Sequence, residues 1–259
     1  MNRVLPILFN PDMVRAILDG RKTVTRRLVK VSPYYPHFYK LHNNSDGKIT
    51  GTKNRLFAGF YKDEQIFYID GEKHIDAVYY QAPYQPGDTL YVRETWCGWY
   101  LPHGEWAYRY KATEPNGNRV PTGPEYDDEF AEKPWRPSIH MPREAARIWL
   151  KVTDVRVERL QDITEDGAEK EGIRAYTKDD KLYKYAVTDD WWIDYHRKHK
   201  KQFYGTFWQD MPKTPKEAFM YLWNSTIKKS DLDRYGWDAN PWVWVIEFER
   251  CEKPEEMRI

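Results

Sequence analysis

The sequence has little cysteine, little net charge and no long apolar run. Its two cysteines, Cys97 and Cys251, lie far apart and match no metal-ligand spacing, so we predict two reduced thiols and no disulfide. No apolar run approaches the roughly 20 residues that a membrane-spanning helix needs. The N-terminus has only a handful of apolar residues, too few for a signal peptide. We therefore expect a cytoplasmic protein with no membrane partner.

The charge balance excludes a general attraction to nucleic acid. The 41 basic and 40 acidic residues give a formal charge of +1, so any contact with phosphates must come from a local basic patch. The chain also has no glycine-rich phosphate loop, no nucleophile elbow and no cysteine–histidine signature. Nucleotide triphosphate hydrolysis is therefore not supported.

Aromatic residues, by contrast, are abundant. With 12 tryptophans, 20 tyrosines and a hydrophobic content of 41%, the 259 residues can bury a substantial core. Aromatic side chains serve both cores and base-stacking surfaces, and composition does not separate the two uses.

The densest group of hydrogen-bond donors is the stretch 20–27, Gly-Arg-Lys-Thr-Val-Thr-Arg-Arg. Before it, residues 4–9 are typical of a buried strand, and Asn10 followed by Pro11 predicts a capped helix start. Gly20 is placed to end that helix in a left-handed conformation. The donors are therefore predicted to lie on a turn and a following strand.

Lys22 and Thr25 in this stretch are candidates for a base and a nucleophile. Thr25 and Arg27 share one face of the predicted strand, and Lys22 has the wrong parity, so it must join them from the turn. A threonine hydroxyl needs a nearby base, and a lysine can serve if burial or cations such as Arg26 and Arg27 lower its pKa. From these residues alone, a solvated basic turn is the simpler interpretation.

The later strands are predicted from alternation and turn signals. A turn at 86–88 precedes a strand over 89–96. The strongest signal covers 147–157, where the apolar pattern changes parity near residues 153–154 and predicts a bulge or bend. A last strand over 242–248 should complete the sheet.

Two further helices have clear N-terminal signals. Thr164 is predicted to cap a short helix that Gly172 ends, with Glu171 on its last turn. A capping box at 214–217 opens a second helix. Glu171 could act as a general acid or base, although a solvated surface acid is the simpler interpretation.

Three insertions interrupt these strands, at about 30–83, 113–137 and 174–211. In the first, 57–61 and 65–69 are predicted strands separated by a charged turn. The third is predicted to begin as a loop and to form a helix from about residue 189. Because the insertions interrupt a common set of strands, we predict one elaborated β-rich domain.

The third insertion contains a basic run with two histidines. His196 and His199 have a spacing that a helical face could present to a metal, but the neighbouring lysines would repel a divalent cation. We therefore predict no metal site and no cofactor. The same run, beside Trp191 and Trp192, could contact phosphates and stack bases; an amphipathic helix covering the core is the simpler alternative.

Four segments, in order, resemble the ASCH domain family of the PUA-like superfamily: Leu18–Arg27, Pro86–Trp96, Ile148–Ile173 and Trp242–Phe248. The chain looks most like the long form common in bacteriophage and prophage genomes. The resemblance implies an α+β fold with a PUA-like mixed β-barrel, short flanking helices and large insertions, all in a single domain over residues 1–259.

Members of that family are expected to bind RNA or modified nucleosides, and small bacterial relatives are amidohydrolases that remove the acetyl group from N4-acetylcytidine. Their similar glycine-arginine-lysine-threonine-x-threonine motif places catalytic roles on Lys22 and Thr25, and a similar threonine-glutamate helix start places one on Glu171. Arg27 or Arg93 would then stabilise the oxyanion. The residues expected to bind substrate are Arg21, Arg27, Arg93, Glu94 and Trp96.

Three functions follow as alternatives. The first is a nucleobase- or nucleoside-binding protein that hydrolyses an acyl amide on a modified cytidine such as N4-acetylcytidine. The second is a non-catalytic reader of RNA or of modified nucleic acid. The third is a phage protein whose insertions contact a host protein. The sequence leaves RNA, DNA and free nucleoside open as ligands, and it leaves the oligomeric state open.

Overall fold

The structure, a computed structural model, describes residues 3–29, 38–42, 51–52, 55–69, 72–100, 106–114, 135–177, 179–187 and 210–255. In these ranges the strands are β1 (Val4–Leu8), β2 (Val24–Leu28), β3 (Phe38–His42), β4 (Gly51–Thr52), β5 (Arg55–Ile69), β6 (Glu72–Gln81), β7 (Thr89–Arg93), β8 (Trp96–Tyr100), β9 (Trp106–Tyr110), β10 (Trp149–Arg159), β11 (Arg174–Thr177), β12 (Tyr183–Ala186) and β13 (Trp242–Cys251). The α-helices are α1 (Pro11–Leu18), α2 (Glu165–Lys170), α3 (Pro215–Thr226) and α4 (Leu232–Tyr235). The predicted mixture of helices and sheets is confirmed.

A five-stranded sheet in the order β1-β7-β10-β13-β2 forms the centre of the molecule. β1 and β7 are parallel, and the other neighbours are antiparallel. In β13, residues of both parities are buried, Trp244 and Val245 among them, so both faces of this strand are covered. The predicted last strand is therefore an interior strand of the sheet, between β10 and β2.

The predicted bulge in β10 is confirmed. Val152 pairs with Phe248 and Asp154 pairs with Glu247, which leaves Thr153 as an extra residue in β10. An extra residue shifts the side chains after it to the other face and increases the local twist. This explains why the apolar pattern of the strand changes parity there.

The sheet is curved, because its two edge strands approach each other. β1 and β2 lie at opposite edges, which in a flat sheet would stand about 19 Å apart at a strand spacing of about 4.8 Å. Nevertheless, the Arg27 side chain on β2 donates a hydrogen bond of 2.8 Å to the Leu8 carbonyl on β1. No sheet in the described ranges closes into a barrel through its backbone pairing.

The predicted helix starts are confirmed in detail. The Asn10 side chain accepts from the Met13 amide at the start of α1, and the Thr164 side chain accepts from Gly167 at the start of α2. At α3, Thr214 accepts from Glu217, but the Glu217 carboxylate accepts from the Lys213 amide. The capping box there is displaced by one residue on its acidic side.

Several predictions for the intervening segments were wrong. β5 is one continuous strand that runs through the predicted charged turn. It pairs with β6 both before and after that turn, and the register of the pairing shifts between Tyr61 and Ile66. The predicted strand over 89–96 ends at Arg93, and β8 begins separately. The third insertion begins as the hairpin β11–β12 and not as a loop. The predicted helix from residue 189, with its tryptophans and histidines, lies outside the described residues.

Candidate functional site

A cavity of about 240 Å³ lies where β2 meets the ends of α1, α2 and α3. Lys22, Thr25 and Glu171, the three residues assigned catalytic roles by resemblance, all line it. The complete lining is Leu8, Phe9, Asn10, Met13, Lys22, Thr25, Arg26, Arg27, Glu171, Phe219, Leu222, Trp223 and Thr226. The structure thus brings together residues that are almost 150 positions apart in the chain.

Glu171 is carried to the cavity by the end of α2. It is the C-cap residue, and Gly172 follows it with φ +104°, a conformation that favours glycine. A Cβ at Gly172 would lie 2.9 Å from the Ala16 Cβ on α1, so the two helices approach too closely for a larger residue. Lys22 and Glu171 form a β-bridge. The interpretation of Glu171 as a solvated surface acid was wrong, since it is only 3% exposed.

Lys22 is buried and makes a full set of hydrogen bonds. Its Nζ donates to Glu171 Oε2 at 2.5 Å, to the Glu171 carbonyl at 2.9 Å and to the Val24 carbonyl at 2.7 Å. An ammonium group has three donors, so this geometry is that of protonated Lys22. Burial lowers the pKa of Lys22, and the Glu171 carboxylate opposes that effect. The interpretation of this stretch as a solvated basic turn was wrong.

Arg26 links the pair to a second carboxylate. Its Nη1 donates to Glu171 Oε1 at 3.2 Å, and its Nε and Nη2 donate to Glu158 Oε1 at 2.9 and 2.6 Å. The resulting chain, Lys22–Glu171–Arg26–Glu158, alternates in charge. Strand parity placed Arg26 on the face opposite Thr25, so the sequence predicted it only as a cation that lowers the pKa of Lys22. Glu158 was missed entirely. The Arg26 side chain is long enough to reach the cavity from the other face of the strand.

Thr25 differs from its neighbours because its hydroxyl has no partner among the residues that the structure describes. The residue is only 4% exposed and lines the cavity. Within the described part of the chain, no hydrogen bond connects its hydroxyl to Lys22 or to any other group. Because Thr25 lines the cavity, this hydroxyl is available to a ligand.

Arg27 lies at the same cavity and is half-buried. Its guanidinium donates to the Leu8 carbonyl, and its Cζ lies 5.3 Å from the centre of the Phe9 ring. Lys22 Nζ is 5.6 Å from the same ring. Burial lowers the pKa of Arg27, with opposing contributions from Tyr84 and Glu171.

The other residues predicted to bind substrate do not line this cavity. Arg21 donates to the Gly172 carbonyl and pairs with Asp19, so it stabilises the turn before β2. Arg93 donates to the Met141 carbonyl.

Glu94 and Trp96 belong to a separate buried region. Glu94 is paired with Arg147, and Trp96 packs in a small apolar cluster with Met141 and Trp149. These residues therefore support the fold around β7 and β8.

Aromatic residues of α3 were missed as parts of the site. Phe219 and Trp223 line the cavity, and the Arg26 guanidinium lies 5.7 Å from the Phe219 ring. Their spacing predicted only the apolar face of an amphipathic helix, which they also form. No signal in the sequence separates the two uses.

The site offers no evident place for a metal. In the described ranges, no group of three or more histidine, cysteine or acidic residues could hold one. Cys97 and Cys251, both described, are thiols and not a disulfide, as predicted. None of the helices in these ranges is both long and apolar enough to span a membrane.

Comparisons with protein-family models, with curated proteins and with solved structures found no match to this chain. The function is therefore inferred from the geometry of the site and from the resemblance of its motifs.

Proposed function

We propose that the cavity binds a modified cytidine and hydrolyses an acyl amide on its base, with N4-acetylcytidine as the model substrate. The observation that carries the proposal is the convergence of Lys22, Thr25 and Glu171 in one cavity. A nucleophile, a base and an acid are the groups that amide hydrolysis requires.

The cavity suits a small, flat ligand. Its volume of about 240 Å³ is below the roughly 300 Å³ at which pockets for drug-sized ligands begin, so it would take a base more readily than a strand. Phe9, Phe219 and Trp223 supply aromatic surface of the kind on which bases stack.

Activation begins with the Lys22–Glu171 pair. Lys22 Nζ transfers a proton over 2.5 Å to Glu171 Oε2, which leaves two neutral groups, and burial favours neutral groups over charged ones. Lys22 then turns from the Val24 carbonyl toward Thr25 and can accept a proton. Catalytic hydrogen bonds often tighten only when substrate is bound.

In the first half-reaction, Lys22 accepts the Thr25 hydroxyl proton as Oγ1 bonds to the acyl carbon. The carbonyl electron pair moves to oxygen, where the charges of Lys22 and Arg26 stabilise it. Collapse of this adduct breaks the carbon–nitrogen bond, and the proton on Glu171 passes to the leaving amine. Thr25 is then acylated, Lys22 is protonated and Glu171 is ionised.

In the second half-reaction, Glu171 accepts a proton from water as the water oxygen attacks the ester. The carbon–Oγ1 bond breaks, and Lys22 returns a proton to Thr25. The carboxylic acid leaves, and a proton passes from Glu171 to Lys22 to restore the ion pair.

The PUA-like fold is part of the same proposal. Supporting it are the curved five-stranded sheet, the bulge in β10 and the approach of β1 to β2 through Arg27. Bulges of this kind let strands bend as barrels require.

The test is incubation of the purified chain with N4-acetylcytidine and with related acylated cytidines, followed by chromatography for cytidine. The native chain should release cytidine, and Thr25→Val should not. Thr23→Val is the matched control, because Thr23 lies two residues away and does not line the cavity. No product from the native chain, or an undiminished rate in Thr25→Val, would exclude the enzyme.

One observation favours a second function, that of a non-catalytic reader of RNA or modified nucleic acid. Lys22 spends all three of its donors on Glu171 and Val24, and its side chain makes no hydrogen bond to Thr25 within the described ranges. In that case the Lys22–Glu171 pair would only stabilise the fold around the cavity and would not transfer protons. This function predicts binding of single-stranded RNA at low salt without turnover, and an absence of binding there would remove it.

A further inference from the structure

We infer that Arg27 forms a subsite for an oxyanion, so that the ligand of this cavity is phosphorylated: a nucleotide and not a neutral nucleoside. The inference rests on the proposed function for the nucleoside part of the ligand. The phosphate part follows from the charges and donors around the cavity.

The first step is the charge balance of the lining. Its ionisable side chains are three cations, Lys22, Arg26 and Arg27, and one carboxylate, Glu171. Both Glu171 oxygens are already occupied, one by Lys22 and the other by Arg26. Glu158, behind Arg26, supplies the second carboxylate. Two cations are thereby matched by two anions.

Arg27 is the cation that remains unmatched. Within the described ranges, no carboxylate lies within ion-pair distance of its guanidinium. Among the described residues, its guanidinium bonds only to the Leu8 carbonyl, which uses one of five N–H donors. Although burial lowers its pKa, a guanidinium stays charged in proteins. A partly desolvated positive charge with open donors beside a cavity favours an anion as ligand.

Thr25 places the reacting end of the nucleotide relative to this subsite. It lies two residues before Arg27 on β2, so both side chains project from the same face of the strand, about 7 Å apart along it. With the phosphate on Arg27, the base can therefore present its acyl group to the Thr25 hydroxyl.

Phosphate is the oxyanion that a cytidine ligand would carry. A planar guanidinium binds two phosphate oxygens at once, which a neutral ribose cannot match. The phosphate could belong to a free mononucleotide or to a strand, and both present the same chemistry to Arg27.

The experiment measures binding without turnover, by calorimetry on the full chain. Cytidine, 5′-CMP, 3′-CMP and a short oligocytidylate are titrated at one low salt concentration. We expect at least one phosphorylated ligand to bind about 10- to 100-fold more tightly than cytidine, as for hydrogen bonds to a charged group. Preference for a mononucleotide identifies a free nucleotide, and preference for the oligomer identifies a strand.

The variant that tests the subsite is Arg27→Gln, which should remove the preference for phosphate, while Arg27→Lys should restore part of it. The matched control is Arg159→Gln. Arg159 also donates to one backbone carbonyl, that of Asn240, and lies 4.3 Å from an aromatic ring, that of Trp242, but it does not line the cavity. Circular dichroism confirms that each variant is folded.

Equal affinity of the native chain for cytidine and all phosphorylated ligands would overturn the inference, as would an unchanged preference in Arg27→Gln or no binding at all. These outcomes are separate from those of the hydrolysis assay. A chain that prefers CMP but releases no cytidine from N4-acetylcytidine keeps the subsite and loses the enzyme. A chain that hydrolyses N4-acetylcytidine but ignores phosphate does the reverse.

Discussion

Two buried carboxylates in this molecule, Glu171 and Glu94, are both paired with cations, yet their surroundings differ. Glu171 is 3% exposed, and the side chains of its partners Lys22 and Arg26 are 1% and 2% exposed. Glu94 is 0% exposed, but its partner Arg147 has a side chain that is 29% exposed. One ion pair is enclosed on both sides, whereas the other reaches the surface.

The difference shows that a buried charge pair does not by itself mark a functional site. Both Glu94 oxygens accept from Arg147, whose guanidinium stacks 4.0 Å from the Tyr110 ring, so all the groups have partners. Beside Glu171, by contrast, there is a cavity, and two groups there, the Thr25 hydroxyl and the Arg27 guanidinium, have no hydrogen-bond partner and no carboxylate partner, respectively, in the described part of the chain. The open groups, and not the ion pair, distinguish the site.

The largest effect on stability is expected from Glu171→Ala. It would leave Lys22 and part of Arg26 as uncompensated buried cations, at a cost of about 3–5 kcal/mol in the free energy of unfolding. Urea denaturation measures this loss. A loss below 1 kcal/mol would contradict the enclosed ion pair.

Glu94→Ala should cost less, about 1–3 kcal/mol, because Arg147 can turn toward solvent when its partner is removed. The same urea series measures it. If Glu94→Ala proved more destabilising than Glu171→Ala, the comparison between the two regions would be wrong. We also expect this variant, when folded, to hydrolyse N4-acetylcytidine at the native rate.

Glu158→Gln should lower kcat by about tenfold, equivalent to about 1.4 kcal/mol. Glu158 holds Arg26, which in turn holds Glu171, so it acts as a positioning residue. The pH profile of kcat should also shift, and Glu158→Asp should recover part of the rate. A change in stability with kcat and its pH profile unaltered would show a purely structural role.

The smallest effects concern the pH dependence of stability, to which Lys22 and Glu94 should contribute with opposite signs. Burial lowers the pKa of Lys22 from its ordinary 10.5, so the unfolded chain binds more protons below that value and stability should rise as pH approaches it. Burial raises the pKa of Glu94 from 4.5, so the native chain binds more protons and stability should fall as pH rises from there.

Unfolding curves between pH 4 and pH 10 for Lys22→Met and Glu94→Gln isolate these contributions, because each variant should flatten its own part of the profile. Lys22→Met should remove the rise on the alkaline side, and Glu94→Gln the fall on the acidic side. If the contributions of Lys22 and Glu94 made stability change in the same direction as pH rises, burial could not be the cause of both pKa shifts.

Local signals in the sequence predicted much of this structure. Asn10 and Thr164 cap their helices as expected, and the parity change in β10 correctly located a bulge. Caps and bulges depend on a few adjacent residues, so a short stretch contains the information.

Long-range contacts were harder to predict. Glu158 reaches the Arg26 side chain, and the aromatic residues of α3 reach the cavity, only through tertiary packing. Nothing in their local pattern distinguishes them from surface acids or core aromatics. The prediction that Lys22 and Glu171 are exposed to solvent was wrong for the same reason. In the sequence they resemble solvated charges, and only the β-bridge between them brings the two residues together in the interior. The resemblance associated these two residues, whereas Glu94 and Trp96, predicted with them, do not line the cavity.

Covalent catalysis by Thr25 is tested most directly by mass spectrometry of the peptide Thr23–Arg26 after rapid quenching of a reaction with N4-acetylcytidine. We expect a mass increase of one acetyl group, located by fragmentation on Thr25 and absent from Thr23. The increase should be lost in Thr25→Val. Release of cytidine with no acetyl group on Thr25 at any quench time, or with the acetyl group on Thr23, would contradict the assignment of Thr25 as the nucleophile.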